Sequence, residues 1–258
     1  MAHPDSGAAP RTVVLSPHFD DAALSLGGLL AGLPGPVDIV TVYGGAPAAD
    51  TTVSWWDTIS GFSTPGEAHR ARLAEDAAAC ALLGARQVAL DHPDGPYAEP
   101  GAALDGLDAY LAALEPGTEV LVPLGSNQPD HEAVRRRALE VLAELDAPPP
   151  TVYADLPYTG HLPEWGLPGA SEALAGSPEC GLAYQDLLRG YRTTVRDALT
   201  LDDRQWAAKR AAVLCYGSQL APVSVDHGPF LSRSGPLSCE LTWSLSRLDE
   251  EAADAVPH

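Results

Sequence analysis

Short apolar, β-branched runs alternate with helix-patterned stretches from about residue 12 to residue 158, and that alternation restricts the fold more than any other feature. The runs are "TVVLS" (12–16), "VDIVTVY" (37–43), "RQVAL" (86–90), "EVLVPL" (119–124) and a fifth inside "PPPTVYADLPY" (148–158). Runs this short and this continuously apolar suit strands buried on both faces of a parallel sheet. Residues 22–32, 67–85, 102–114 and 130–145 read as the helices between them, with Gly84 closing the second and Asp130 as the expected N-cap of the fourth. Strands and helices in strict alternation predict an α/β chain: a Rossmann-like, doubly wound, mainly parallel sheet with helices on both faces.

After about residue 160 the pattern weakens. A Gly/Pro-rich loop (160–180), a helical stretch near 200–218 and an expected edge strand, "LSCELTWSL" (237–245), follow. The chain is therefore read as one domain over 1–258, with a core over about 12–160 and a C-terminal elaboration over about 161–250, behind a loose leader at 1–10.

Composition narrows the partners. Fifteen Lys and Arg face 35 Asp and Glu, a net charge of −20, which repels nucleic acid and anionic membranes. An acidic surface also serves solubility alone. The four cysteines are widely spaced with no C-x-x-C, which argues against a disulfide framework or a thiolate zinc site. "MAHPDSGAAPRT" does not resemble a signal peptide, and no run reaches the roughly 18 apolar residues of a membrane helix, so a cytoplasmic protein is expected. No G-x-G-x-x-G opens the first helix, which counts against nucleotide binding.

In an open parallel sheet, ligands sit beyond the C-terminal ends of the strands. Three polar clusters fall there: "SPHFDD" after the first strand, "DHPDG" (91–95) after the third and "GSNQPDH" after the fourth. His18 and Asp21 offer one nitrogen and one oxygen ligand to a zinc ion, and His131 is the natural third, leaving a position open. A dication would also offset the repulsion between Asp20 and Asp21, leaving Asp20 free as a base. On spacing alone a plainer reading stays open, in which Asp20 or Asp21 and Asp130 cap helices and the histidines merely pack. His3 and Asp5, a similar triplet in the leader, are discounted.

These residues lie in blocks that resemble the PIG-L/LmbE-like zinc-dependent N-deacetylases. The blocks are "SPHFDDAALSLGG", "RLAEDAAACALLGA" (72–85), "ALDHPDG" (89–95), "PLGSNQPDHEAVRRRAL" (123–139), "YADLPY" (153–158) and "KRAAVLCYGSQL" (209–220), in family order. The resemblance implies His18, Asp21 and His131 as zinc ligands (iron(II) suits the same donor set) and Asp20 as general base. It also places Arg72 and Asp94 where family members hold sugar hydroxyls. Their plainer readings are a surface ion pair of Arg72 with Glu75 or Asp76, and a turn residue for Asp94.

One position departs from the pattern: Gln128 stands where most members have a histidine that steadies the oxyanion or protonates the leaving amine. A glutamine amide donates a hydrogen bond but transfers no proton near neutral pH, so Gln128 is expected as an oxyanion donor. His161, and more weakly His92, are the candidates to supply the missing acid. The implied substrate is a small N-acylated amino sugar conjugate, most simply N-acetylated, from specialised metabolism such as antibiotic biosynthesis. The long 44–66 loop with Trp55 and Trp56, and the region of Trp165, are expected to roof it. Two other readings are an amidase removing a larger acyl group from a sugar-thiol conjugate, and a metal- or sugar-binding relative without catalysis. A homo-oligomer is compatible with the sequence.

Overall fold

The computed structural model describes residues 9–99 and 101–248; the His3 and Asp5 triplet lies outside them. Five strands run parallel in the order β3-β2-β1-β4-β5: β1 (Thr12–Ser16), β2 (Val37–Thr41), β3 (Ala85–Ala89), β4 (Glu119–Pro123) and β5 (Thr151–Tyr153). Side chains alternate across a strand, so Val13 and Leu15 enter one core layer while Val14 enters the other. The first layer is closed by α4 (Asp105–Ala112) and α5 (Pro129–Glu144), the second by α1 (Asp21–Leu30) and α3 (Pro65–Leu83). The expected doubly wound sheet is present.

The connections turn one way from β1 to β2 and β3, and the other way from β4 to β5. Between the C-terminal ends of β1 and β4 the loops therefore part, and a crevice opens there. The loops after both strands carry the polar blocks of the sequence.

Local backbone devices fix α3 and the loop after β4. Thr64 caps α3, its hydroxyl accepting from the Glu67 amide, and Gly84 ends it at φ +68°. Gly125, just past β4, sits at φ +90°, and a Cβ there would stand 2.7 Å from the Glu132 Cα. Gly125→Ala is expected to cost about 1–3 kcal/mol through strain and overpacking; a denaturant melt showing an unchanged midpoint would contradict this.

The C-terminal part departs from expectation. The strand at β7 (Cys239–Arg247) is not an edge strand: it pairs antiparallel with β5 on one side and with β6 (Tyr191–Thr200) on the other. Trp243, fully buried, and Leu241 explain why it lies inside the sheet. The edge is β6, which the sequence reading missed. A bulge between Val195 and Asp197 shifts its inside-outside phase midway, so no unbroken two-residue period marks it. The helical stretch expected near 200–218 is two helices, α8 (Asp203–Val213) and α9 (Gly217–His227). Short helices also interrupt both long loops: α2 (Trp55–Ile59) in the 44–66 segment and α6 (Ala170–Gly176) in the Gly/Pro-rich one, with α7 (Leu182–Leu187) following. The N-cap of α5 is Gln128, not Asp130, because Pro129 takes the first helical position. All four cysteines are free thiols, and none of the described helices is long and apolar enough to cross a membrane.

Candidate metal centre

Helix capping does not explain the acidic residues after β1. Asp20 occupies the N-cap of α1 yet makes no side-chain cap bond. The Ala22 amide is taken instead by the Ser16 hydroxyl at 3.0 Å. That leaves both carboxylates for other work. Asp21 Oδ2 accepts the His18 amide at 2.8 Å, and lies 3.2 Å from His18 Nδ1 and 3.1 Å from His131 Nε2. Donor atoms of His18, Asp21 and His131 all lie within 4.8 Å of one another. Separations near 3 Å are those between two ligands of a single ion with bonds of about 2 Å.

Each imidazole of the set is held from behind. His131, buried on the first turn of α5, donates from Nδ1 to Asp155 Oδ1 at 2.9 Å. The other oxygen of Asp155 accepts the Gly125 and Ser126 amides at 2.7 and 2.8 Å. One buried carboxylate thus fixes both the imidazole and the loop that carries it. The far nitrogen of His18, Nε2, faces Asp130 Oδ2 at 3.3 Å and Asp94 Oδ1 at 3.4 Å, and Tyr43 stacks on its ring. Outer carboxylates of this kind orient a metal-binding imidazole and raise its basicity.

The electrostatics fit a cation. Burial alone would lower the His131 pKa, but Asp21 and Asp155 outweigh it and lift it to about 9. Burial likewise opposes charge on His18, yet Asp94, Asp130 and Asp21 hold its pKa well above the ordinary value. Burial would raise the Asp21 pKa, and the two imidazoles instead hold it far below the carboxylate range. The carboxylates around both imidazoles thus favour positive charge at this point, which a divalent cation would supply. Asp20 differs: burial and the neighbouring Asp21 charge push its pKa up to about 7.

His18 and Asp21 of the triad line a cavity of about 260 Å³ whose wall also includes Asp20, Arg72, Asp94, Gln128, Tyr158 and His227. Arg72 is buried and is not a surface ion pair with Glu75 or Asp76. Its guanidinium bonds Asp57 and reaches Asp94 Oδ2 at 3.5 Å. Asp57, fully buried on α2, also accepts from the Tyr97 hydroxyl. Asp94 therefore bridges Arg72 and His18, more than a turn residue would do. Gln128 does reach the cavity, but its Nε2 donates to the Tyr158 hydroxyl at 2.9 Å. His161 stands outside the wall on a turn after β5, its Nε2 3.1 Å from His227 Nδ1 with the two rings stacked. His92 packs against Gly106 instead. Trp56 lines the cavity, its indole donating to Gln219; Trp55 is exposed, and Trp165 packs in the core beside Cys239.

Asp155, Asp57, Tyr158 and His227 carried no assignment from the sequence. Asp155 had a usable signal, a carboxylate just past the fifth strand at the same sheet edge. Asp57, hidden in a long loop, had none.

A family model, GlcNAc-PI de-N-acetylase (PIG-L), matches residues 13–142, just over half of the chain. The chain belongs to the PIG-L family. The matched PIG-L segment contains all three residues of the triad, Asp20, Arg72, Asp94 and Gln128, but ends before Asp155 and the C-terminal wall of the cavity. Among solved structures, the PIG-L chain is similar to the A40926 pseudoaglycone deacetylase Dbv21: 27% identity, TM-score 0.68, covering 93% of this chain and 98% of that one. It is similar also to a triple mutant of a deacetylase of the teicoplanin biosynthetic pathway, at 25% identity and TM-score 0.70, covering 93% and 99%. GalB, the 4-carboxy-2-hydroxymuconate hydratase of Pseudomonas putida KT2440, shares the fold at 19% identity and TM-score 0.58 over 94% and 99%. No curated protein matches the chain.

Proposed function

We propose that this protein is a metal-dependent N-deacetylase that removes the acyl group from an amino sugar carried by a glycopeptide-type antibiotic or a related conjugate. The observation that carries the reading is the His18, Asp21 and His131 donor set, whose first two members line the cavity, with the Asp20 carboxylate on the same wall and unused as a cap. Two similar structures are deacetylases of glycopeptide antibiotics or their pathway, and both match along nearly their whole length. A fold shared with a hydratase does not by itself name a reaction, so the site has to carry the assignment.

His18 through Nδ1, Asp21 and His131 through Nε2 would hold the ion, and two nitrogens with one carboxylate oxygen suit zinc. When bound, the ion supplies positive charge that polarises an acyl carbonyl and acidifies water. Asp20 takes the proton from the attacking water as its oxygen bonds the carbonyl carbon. Asp20 then returns that proton to the nitrogen as the carbon–nitrogen bond breaks, giving a free amine and a carboxylic acid. Arg72 and Asp94, side by side on the wall, hold sugar hydroxyls through the guanidinium and the carboxylate. The cavity is near the lower end of small-molecule sites, about 300–1,000 Å³. That suits one sugar ring with its acyl group, with the rest of a glycopeptide outside.

Apolar side chains on the same wall, among them Phe19, Leu24, Leu156 and Val223, favour a second reading in which a longer acyl chain is removed. Incubating the protein with acetylated and longer-chain acylated glycopeptide pseudoaglycones, and measuring each acid and the new amine, separates the two. Turnover should disappear with a chelator and return with zinc. Chelator-resistant turnover would overturn the metal assignment, and no amine from any acylated amino sugar would overturn the deacetylase reading.

A further inference from the structure

Gln128 and Tyr158 are hydrogen-bonded neighbours on the cavity wall. Gln128 is the N-cap of α5 but makes no side-chain cap bond, so its amide is free for the cavity. There it donates to the Tyr158 hydroxyl oxygen at 2.9 Å. An oxygen that accepts this bond keeps its own proton to donate elsewhere.

The Tyr158 ring is fixed on two sides. It meets His131 edge-on, with centroids 6.0 Å apart, and His227 edge-on from another side, with centroids 5.0 Å apart. His227 is in turn stacked on His161 at 5.2 Å. Tyr158 thus lines the cavity with its ring against a residue of the donor triad and its hydroxyl bonded to Gln128. Two other donors of the wall are committed: Tyr97 to Asp57 and Trp56 to Gln219.

We infer that the Tyr158 hydroxyl is the hydrogen-bond donor to the oxyanion of the tetrahedral adduct, and that Gln128 is the residue that positions it. This rests on the deacetylase reading above. When water adds to the acyl carbon, the π pair of the carbonyl moves onto its oxygen, and a fixed donor facing that oxygen stabilises the charge that develops. Gln128 then contributes through the phenol, and the His161–His227 pair holds the ring from behind. The proton itself stays with Asp20, so no histidine is needed at position 128.

A double-mutant cycle on the zinc-loaded enzyme tests this, with N-acetylated glycopeptide pseudoaglycone as substrate. Tyr158→Phe keeps the ring and removes only the hydroxyl. It should lower kcat on the order of 10²-fold, as loss of one oxyanion donor does, with KM and zinc content nearly unchanged. Gln128→Ala should cost about tenfold, and the double variant should be no worse than Tyr158→Phe alone, because the amide acts through the hydroxyl. Wild-type kcat in Tyr158→Phe overturns the inference. So do losses that multiply in the double variant, since Gln128 would then face the reacting atoms itself. A wild-type enzyme without turnover overturns the deacetylase reading and takes this inference with it, an outcome distinct from either of the others.

Discussion

Asp20→Asn is expected to keep its metal and to lose turnover by on the order of 10³-fold, within the range that general acid–base groups supply. The carboxamide has almost the same shape, so the cavity wall and the N-terminus of α1 persist; Asp20 makes no cap bond whose loss would unravel the helix. What disappears is a lone pair able to accept a proton from water and hold it until the amine leaves. The neighbouring Asp21 is already committed to the two imidazoles, at 3.1 and 3.2 Å, and cannot substitute without releasing the ion. Elemental analysis and steady-state kinetics on the same preparation decide the matter. Normal zinc with wild-type kcat would place the base elsewhere, and loss of zinc would make residue 20 a ligand.

Asp155→Ala is expected to weaken metal binding by about 10–100-fold and to destabilise the fold at the same time. The carboxylate holds His131 Nδ1 at 2.9 Å, and without it the ring loses both its preferred tautomer and its orientation. The buried Gly125 and Ser126 amides lose their acceptor together. A buried donor left unpaired costs about 1–3 kcal/mol, so two of them should lower Tm by roughly 5–15 °C for a chain of this size. Zinc titration by calorimetry and a thermal melt of the metal-free protein read the two effects separately. A variant with unchanged zinc affinity would show that His131 needs no such support, and an unchanged melt would show that water replaces the carboxylate at both amides.

These residues also show how far a linear reading reaches. His18, Asp20, Asp21 and His131 were legible because a strand followed by a helix puts its connecting loop at a known edge of the sheet, and both blocks carry ligand-type side chains there. Arg72 and Asp94 were legible as positions but not as a pair. Their contact joins α3 to the loop after β3, and the Asp57 carboxylate that also binds Arg72 comes from a short helix inside what the sequence presents as a turn-rich loop. Gln128 was legible as a departure, but its partner Tyr158 lies 30 residues away and beyond the next strand.

What the sequence determined by itself is the class of the fold and which polar blocks meet at one edge of the sheet. Both depend on local signals: short apolar runs, helix periodicity, and polar blocks where strands end. Only the tertiary structure decided that β7 is an inner strand and β6 the edge, that Asp155 stands behind His131, and that α9 brings His227 to the cavity wall. The physical reason is common to all three. Each depends on which distant segments exclude water from one another, and a side chain's partner across such a contact leaves no mark in the residues on either side of it.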